Sequence, residues 1–222
     1  MRRPKVALFD LDGVLIDTES QYTAFWEQVG TVAFPSVPDF AERIKGQALE
    51  KIFSLYFAGQ PAEVEKVRAA LDSFEAEMKY VPIAGACNFV KALREERVRT
   101  AVVTSSNRRK MANLYRALPL ITADFDRIFT AEDAGRSKPA PDCYLNAMRY
   151  FEVSPEETVV FEDSENGLKA AVASGAKVVG LSTSLPVEKV KSFTDCVISD
   201  FSSVMSVDLW RKLFSDGIEV DE

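Results

Sequence analysis

Short apolar runs that end in acidic or hydroxyl residues constrain this chain more than any other feature. They have the length of buried strands and occupy residues 5–9, 100–103, 127–130, 158–161, 177–181 and 196–198. Helical periodicity fills the intervals, over residues 86–96, 108–118, 141–151 and 165–174. Strands that alternate with helices are typical of a parallel sheet covered on both faces. The sequence therefore predicts an α/β fold with a doubly wound, Rossmann-like parallel sheet.

One long segment, residues 17–82, interrupts this alternation. It shows helical periodicity without a convincing strand, over residues 22–29, 40–44, 49–57 and 62–79. We therefore predict an all-helical cap domain of residues 17–82, inserted after the first strand. The α/β core domain would consist of residues 1–16 together with residues 83–222.

Composition excludes several classes of function. The net charge of −7 argues against a nucleic-acid partner, which requires a basic surface. The chain has no histidine, which excludes Ser-His-Asp triads and His-ligated zinc. No stretch approaches the roughly 20 apolar residues of a membrane span. The three cysteines form no C-x-x-C motif and suit a reducing compartment. We expect a cytoplasmic protein, with a monomer as the default oligomeric state.

The polar residues at the predicted strand ends are the candidates for chemistry. They are Asp10 and Asp12 after the first strand, Thr104 after the second, Glu162 and Asp163 after the fourth, and Lys138 in a loop before a helix. The carboxyl ends of parallel strands lie along one edge of a sheet, where ligands bind. Residues that are distant in sequence should therefore converge on one crevice.

These residue types favour metal-assisted phosphate chemistry. Clustered carboxylates repel one another unless a cation neutralises them, and oxygen ligands without His or Cys suit Mg²⁺. Asp10 can bind the metal with one oxygen and attack phosphorus with the other. Asp12 can act as general acid and then as general base. The Lys138 ammonium and the Thr104 hydroxyl can stabilise charge on the transferring phosphoryl group.

Four motifs carry a resemblance to a known family. They are Asp10-Leu-Asp12-Gly13-Val14, Thr104 at a strand end, Ser137-Lys138-Pro139, and Glu162-Asp163-Ser164-x-x-Gly167. Together they resemble the motifs of the haloacid dehalogenase-like superfamily, over nearly the whole chain. The Ser-Lys-Pro-Ala-Pro-Asp loop and the helical insertion resemble its β-phosphoglucomutase-like branch.

The resemblance implies specific roles. Asp10 would be the nucleophile and Asp12 the acid/base. Magnesium would be held by the Asp10 carboxylate, the Asp12 backbone carbonyl and Asp163, with Glu162 binding directly or through water. In that family the helical insertion is a mobile cap that closes over the site.

Two departures from the mutase pattern favour a phosphatase. The mutase has a histidine near the cap hinge, and the aligned residue here is Tyr22. It also has an arginine in a cap loop, and residues 45–49 here contain none. We therefore expect hydrolysis of a small phosphorylated metabolite, such as a sugar phosphate. A phosphosugar mutase is one alternative, and a non-catalytic phospho-aspartate regulatory or binding protein is another.

Further residues are candidates for substrate contact. In the core they are Ser105, Ser106 and Asn107, and in the cap they are Tyr22, Arg43, Lys45, Gly46 and Gln47. The following run, Arg108-Arg109-Lys110, has two interpretations: phosphate binding at a helix start, or a solvated helix face.

The acidic motifs also have structural interpretations. Asp10 and Asp12 could be solvated turn residues. Glu162 and Asp163 could simply precede a helix, because acidic residues favour its N-terminal dipole.

Overall fold

The computed structural model describes residues 4–45, 47, 49–118 and 123–202. The chain divides into two compact units. The first, here called the α/β unit, contains the described residues up to Asp17 and from Tyr80 onward. The second, the helical unit, contains Thr18–Lys79.

Six parallel strands form the sheet of the α/β unit, in the order β5-β4-β1-β6-β7-β8. The strands of the chain are β1 (Val6–Phe9), β2 (Ile16–Asp17), β3 (Val81–Pro82), β4 (Arg99–Val103), β5 (Arg127–Phe129), β6 (Thr158–Glu162), β7 (Lys177–Leu181) and β8 (Val197–Ile198). All six predicted strands belong to this sheet, which confirms the predicted fold class. The central strand β1 lies between β4 and β6, so their carboxyl ends are neighbours.

Helices make up the remaining regular structure. They are α1 (Glu19–Ala33), α2 (Phe40–Ile44), α3 (Leu49–Tyr56), α4 (Pro61–Glu77), α5 (Ala86–Glu95), α6 (Arg108–Ala117), α7 (Ala131–Ala134), α8 (Asp142–Phe151), α9 (Glu165–Ala173) and α10 (Val187–Lys191). A short 3₁₀ helix spans Pro155–Glu157. Helical periodicity predicted all of these α-helices except α7 and α10, which have about one turn each and therefore show little periodicity.

The sheet is buried on both faces. The four residues of β1 are fully buried, and Leu8 pairs in register with Ala101 of β4 and Val160 of β6. The Phe9 and Phe161 rings stack with centroids 4.6 Å apart. Each fully buried aromatic side chain contributes roughly 1.5–3 kcal/mol to stability. The core therefore holds the strand ends in fixed positions.

The helical unit has an apolar core of its own. It includes Trp26 of α1, Phe40 and Ile44 of α2, and Ile52 and Phe53 of α3. These residues come from successive helices. Short helices such as α2 are unstable alone, and this tertiary packing stabilises them. Among the described residues, no helix is both long enough and apolar enough to cross a membrane.

Candidate active site

Asp10 lies immediately after β1, at the centre of the carboxyl edge of the sheet. Its backbone amide donates to the Phe161 carbonyl at 3.0 Å, which continues the pairing of β1 with β6. The residue is 8% exposed. Burial raises the pKa of Asp10 to about 7; Lys138 lowers that pKa in part, whereas Glu162 and Asp12 add to the rise.

Lys138 connects the ends of three strands. Its ammonium donates to Asp10 Oδ1 at 2.6 Å, to Glu162 Oε1 at 2.7 Å and to the Val103 carbonyl at 3.2 Å. It also lies 4.9 Å from the centre of the Tyr144 ring. Burial by itself would lower the pKa of Lys138, but the neighbouring Asp10 and Glu162 carboxylates raise it well above its ordinary value. Lys138 is therefore held as a cation in the site.

Glu162, at the end of β6, is fully buried and both of its oxygens accept hydrogen bonds. Oε1 accepts from Lys138 at 2.7 Å and from the Tyr144 hydroxyl at 3.0 Å. Oε2 accepts from the backbone amides of Asp163 and Ser164, at 2.8 and 3.0 Å, and from the Ser164 hydroxyl at 3.1 Å. A Cβ atom on Gly167 would overlap this carboxylate, so the glycine in the motif is required by close approach. The donors that surround Glu162 fix its orientation.

Asp163 is buried next to Glu162. Its Oδ2 accepts a short hydrogen bond from the Ser184 hydroxyl and a longer one, at 3.4 Å, from Thr183. Its Oδ1 is buried and has no hydrogen-bond partner among the described residues. Burial first, and then the Glu162 and Asp10 charges, raise the pKa of Asp163 well above its ordinary value. One carboxylate oxygen therefore remains for a ligand.

Gly13 makes room for Asp163. Its φ of +80° lies in the left-handed region, and a Cβ atom there would overlap the Asp163 carboxylate. The Gly13 carbonyl accepts from the Thr183 hydroxyl at 2.5 Å. The turn after β1 and the loop after β7 thus meet at Asp163, and only glycine fits between them.

Asp12 pairs with Lys110, for which the sequence left two interpretations open. The Lys110 ammonium donates to both Asp12 carboxylate oxygens at 2.8 Å, and the Ser106 hydroxyl donates to Oδ2 at 3.1 Å. Lys110 is 5% exposed, so the interpretation of this residue as part of a solvated helix face is wrong. The sequence contained only a weak signal for Lys110, because Met111, Leu114 and Tyr115 were sufficient to define the apolar face of α6, and of these the structure buries Met111 and Leu114.

The loop after β4 contains the other core candidates. Thr104 is buried, and its hydroxyl accepts from the Ser106 amide at 2.9 Å. Asn107 caps α6, because its side-chain oxygen accepts from the Lys110 amide at 2.9 Å. Ser105 is exposed. Substrate contact by Ser105, Ser106 and Asn107 stays a prediction.

The predicted cap residues lie in the helical unit, where they bond to their neighbours. The Tyr22 hydroxyl donates to buried Glu75 at 2.9 Å, and Lys45 pairs with Glu19 at 3.0 Å. Arg43 donates to the Pro38 carbonyl, and Gln47 to the Arg43 carbonyl, each at 2.8 Å. Gly46 lies outside the described residues. Their contact with substrate stays a prediction.

Two further residues at the site were not selected from the sequence. Tyr144 was predicted as part of an apolar helix face, yet its hydroxyl reaches Glu162. Ser184 lies in a loop that has no motif. Of these two residues, only Tyr144 could have been recognised from the sequence, because the hydroxyl of a buried tyrosine usually has a polar partner.

The site has an excess of buried negative charge. Asp10, Glu162 and Asp163 are buried beside one ammonium, that of Lys138, while Asp12 has Lys110. Within the described part of the chain, no group of three Asp, Glu, His or Cys side chains has the arrangement of a formed metal site. Mg²⁺, however, is usually bound by only one or two carboxylates, together with water and substrate phosphate. The open oxygen of Asp163 and the raised pKa of Asp10 fit such a cation.

This chain is similar to known proteins over most of its length. The family model described as haloacid dehalogenase-like hydrolase matches residues 4–175. A phosphorylated carbohydrates phosphatase from Thermotoga maritima is 32% identical over 184 residues, which cover 77% of this chain and 82% of the relative. A beta-phosphoglucomutase from Bacillus subtilis is 29% identical over 198 residues, which cover 82% of this chain and 85% of the relative.

A similar fold occurs among solved structures. A HAD family hydrolase from Deinococcus radiodurans R1, solved with bound phosphate and sodium, superposes on this chain with a TM-score of 0.73 and is 24% identical to it. The match covers 97% of this chain and 99% of the other. At this identity the likeness bears on the fold alone.

Proposed function

The chain belongs to the haloacid dehalogenase-like hydrolases, and we propose that it hydrolyses a small phosphorylated metabolite through an aspartyl-phosphate on Asp10. As a member with phosphatase relatives it is a phosphoric monoester hydrolase. The further proposal, which names a sugar phosphate as the substrate class, is supported by the carbohydrate phosphatase that is 32% identical to this chain.

The observation that carries the proposal is the position of Lys138 between Asp10 and Glu162. A buried ammonium 2.6 Å from the candidate nucleophile can also bind an oxygen of the phosphoryl group that the nucleophile attacks. Glu162 holds Lys138 from the opposite side with donors of its own. We infer that Glu162 positions the lysine, and that the binding of Glu162 to metal is at most indirect.

We propose that Mg²⁺ is held by the carboxylates of Asp10 and Asp163 and by the Asp12 backbone carbonyl. When bound, the cation would neutralise the excess carboxylate charge and polarise the phosphoryl group. Ser184 and Thr183 bond to Asp163 Oδ2, which leaves Oδ1 for the ligand.

The reaction would proceed in two steps. In the first, an Asp10 oxygen bonds to phosphorus, the ester P–O bond breaks, and the leaving oxygen takes a proton from Asp12. In the second, water bonds to phosphorus and gives a proton to Asp12, while the P–O bond to Asp10 breaks. The Lys138 ammonium and the Thr104 hydroxyl stabilise phosphoryl oxygens in both steps.

The test is phosphate release from a panel of phosphorylated metabolites, with and without Mg²⁺. In D10N we expect kcat to fall by about 10⁴-fold or more, because the nucleophile is lost. The matched control is E63Q, a carboxylate-to-amide change on the surface of the helical unit. Activity that survives in D10N would remove Asp10 as nucleophile.

A phosphosugar mutase is the second candidate, supported by the 29% identity to a beta-phosphoglucomutase. Product analysis separates the two functions. If a phosphosugar isomer forms faster than free phosphate, the chain acts as a mutase and the hydrolytic proposal is overturned.

A further inference from the structure

Lys110 is a buried lysine that the two-step reaction above leaves without a role. It lies in the first turn of α6, is 5% exposed, and donates to both carboxylate oxygens of Asp12 at 2.8 Å. The residues are 98 positions apart, so this contact depends on the tertiary structure. It joins the segment after β4 to the acid/base candidate after β1.

Stability alone is a poor reason for a lysine at this position. Burying an ammonium is unfavourable, and replacement of a buried ion pair by apolar residues of similar size is often neutral or stabilising. The adjacent Met111 and Leu114 pack into the core of the α/β unit, so an apolar residue would suit the same helix face. The paired Lys110 ammonium therefore suggests a function at Asp12.

Two donors restrict the orientation of the Asp12 carboxylate. Lys110 holds both of its oxygens, and the Ser106 hydroxyl holds Oδ2 from a second direction, at 3.1 Å. A free aspartate would rotate about its side-chain bonds. A general acid must instead stay within hydrogen-bond reach of the leaving oxygen.

We propose that Lys110 is a positioning residue: it orients the Asp12 carboxyl group toward the leaving oxygen of the substrate and stabilises the carboxylate that forms when the Asp12 proton passes to that oxygen. This inference rests on the proposed phosphatase function. It adds a specific role to that function, because the segment between Thr104 and Lys110 would orient Asp12 for proton transfer. In this proposal Lys110 acts through Asp12 and has no direct contact with the phosphoryl group.

The test uses two substrates of similar shape that differ in their need for a general acid. Phenyl phosphate has a poor leaving group that requires protonation, whereas the p-nitrophenolate of p-nitrophenyl phosphate leaves readily without it. In K110M we expect kcat/KM for phenyl phosphate to fall about 10–100-fold, within the usual range for general acid catalysis. For p-nitrophenyl phosphate we expect a fall of less than about 3-fold, because that step needs little acid assistance.

Three controls separate positioning from general damage. K169M removes an exposed lysine of α9 that pairs with Glu165, and both substrates should react as in the wild type. K110R restores a cation that can bind both oxygens, and should recover part of the activity lost in K110M with phenyl phosphate. In a D12N background, the added K110M change should cost less than about 2-fold, because its effect runs through Asp12.

K110Q serves if K110M does not fold, because glutamine avoids an apolar group beside Asp12 but lacks the positive charge of Lys110, and it should show the same difference between substrates in the same direction. Equal losses on both substrates, or additive losses in the D12N background, would overturn the role of Lys110. A wild-type protein that releases no phosphate from either compound or from the metabolite panel would instead count against the proposed function.

Discussion

The two units of this protein differ in where they keep their charges. In the α/β unit, Asp10, Lys138 and Glu162 form a buried network between residues that are at least 24 positions apart. In the helical unit, ion pairs such as Lys66–Glu63 lie on the surface, three residues apart on one helix. Buried charges are costly, whereas exposed pairs contribute little. The helical unit also buries Glu75 against the Tyr22 hydroxyl, but the buried network of lysine and carboxylates lies at the candidate active site, where phosphoryl transfer can use it.

The prediction with the largest expected effect compares the replacement of one lysine in each unit. In K138M we expect kcat to fall about 10³-fold, because a donor to the phosphoryl group is lost. We also expect the free energy of unfolding to fall by about 3 kcal/mol, because Glu162 keeps a buried charge without its ammonium partner. In K66M, kcat should be unchanged and the free energy of unfolding should stay within about 1 kcal/mol of the wild type.

Steady-state kinetics and urea unfolding measure the two effects. A K138M protein with normal kcat would show that the buried network is structural and that the comparison with the helical unit says nothing about catalysis.

The next largest effect is expected from a Gly-to-Ala substitution, which we compare between the two units. Gly-to-Ala changes inside helices normally stabilise by about 1 kcal/mol. At Gly167 of α9 the new methyl group would overlap the Glu162 carboxylate, so we expect G167A to destabilise by about 1–3 kcal/mol and to lower activity. At Gly59 the space around a Cβ atom is open and φ is +76°, so G59A should cost only about 1 kcal/mol and leave activity unchanged.

Thermal unfolding of both variants, with activity assays alongside, checks this prediction. If G167A is more stable than the wild type, the close packing of α9 against Glu162 does not constrain the site.

The third prediction concerns pH and Mg²⁺. The pKa of Asp10 is about 7 in the folded protein, above its ordinary value of 3.8, so the folded state binds more protons between these values. Without metal, the free energy of unfolding should therefore fall as pH rises from about 4 to 7. Saturating Mg²⁺ should reduce this fall, because the cation favours the ionised carboxylates.

Urea titrations at several pH values, with Mg²⁺ or with EDTA, measure this effect. D10N should show a weaker pH dependence than the wild type, whereas E63Q in the helical unit should show the same dependence. A metal response that is unchanged in D10N would place the cation elsewhere.

The last prediction concerns a buried hydrogen bond of the helical unit. Y22F removes the hydrogen bond to buried Glu75, and we expect a loss of about 1–2 kcal/mol in the free energy of unfolding. The sequence predicted Tyr22 as a substrate contact. An unchanged KM for the preferred metabolite would contradict that prediction, and a raised KM at constant kcat would support it.

Much of the fold follows from local patterns. Apolar runs of three to five residues and helical periodicity predicted all six strands of the sheet and the longer helices, because both signals depend on neighbouring residues. The same patterns located Asp10, Thr104 and Glu162 at strand ends. The parallel arrangement then made their convergence predictable, and Lys138 entered through its motif.

The tertiary structure decided what each side chain contacts. Lys110 is predicted equally well as solvated or functional from its sequence, and only the packing of α6 directs its ammonium to Asp12. The partnership of Tyr144 with Glu162 and of Ser184 with Asp163 likewise joins different elements of the fold. Such contacts depend on the distance and orientation of packed elements, whereas sequence periodicity reports only which face of an element is buried.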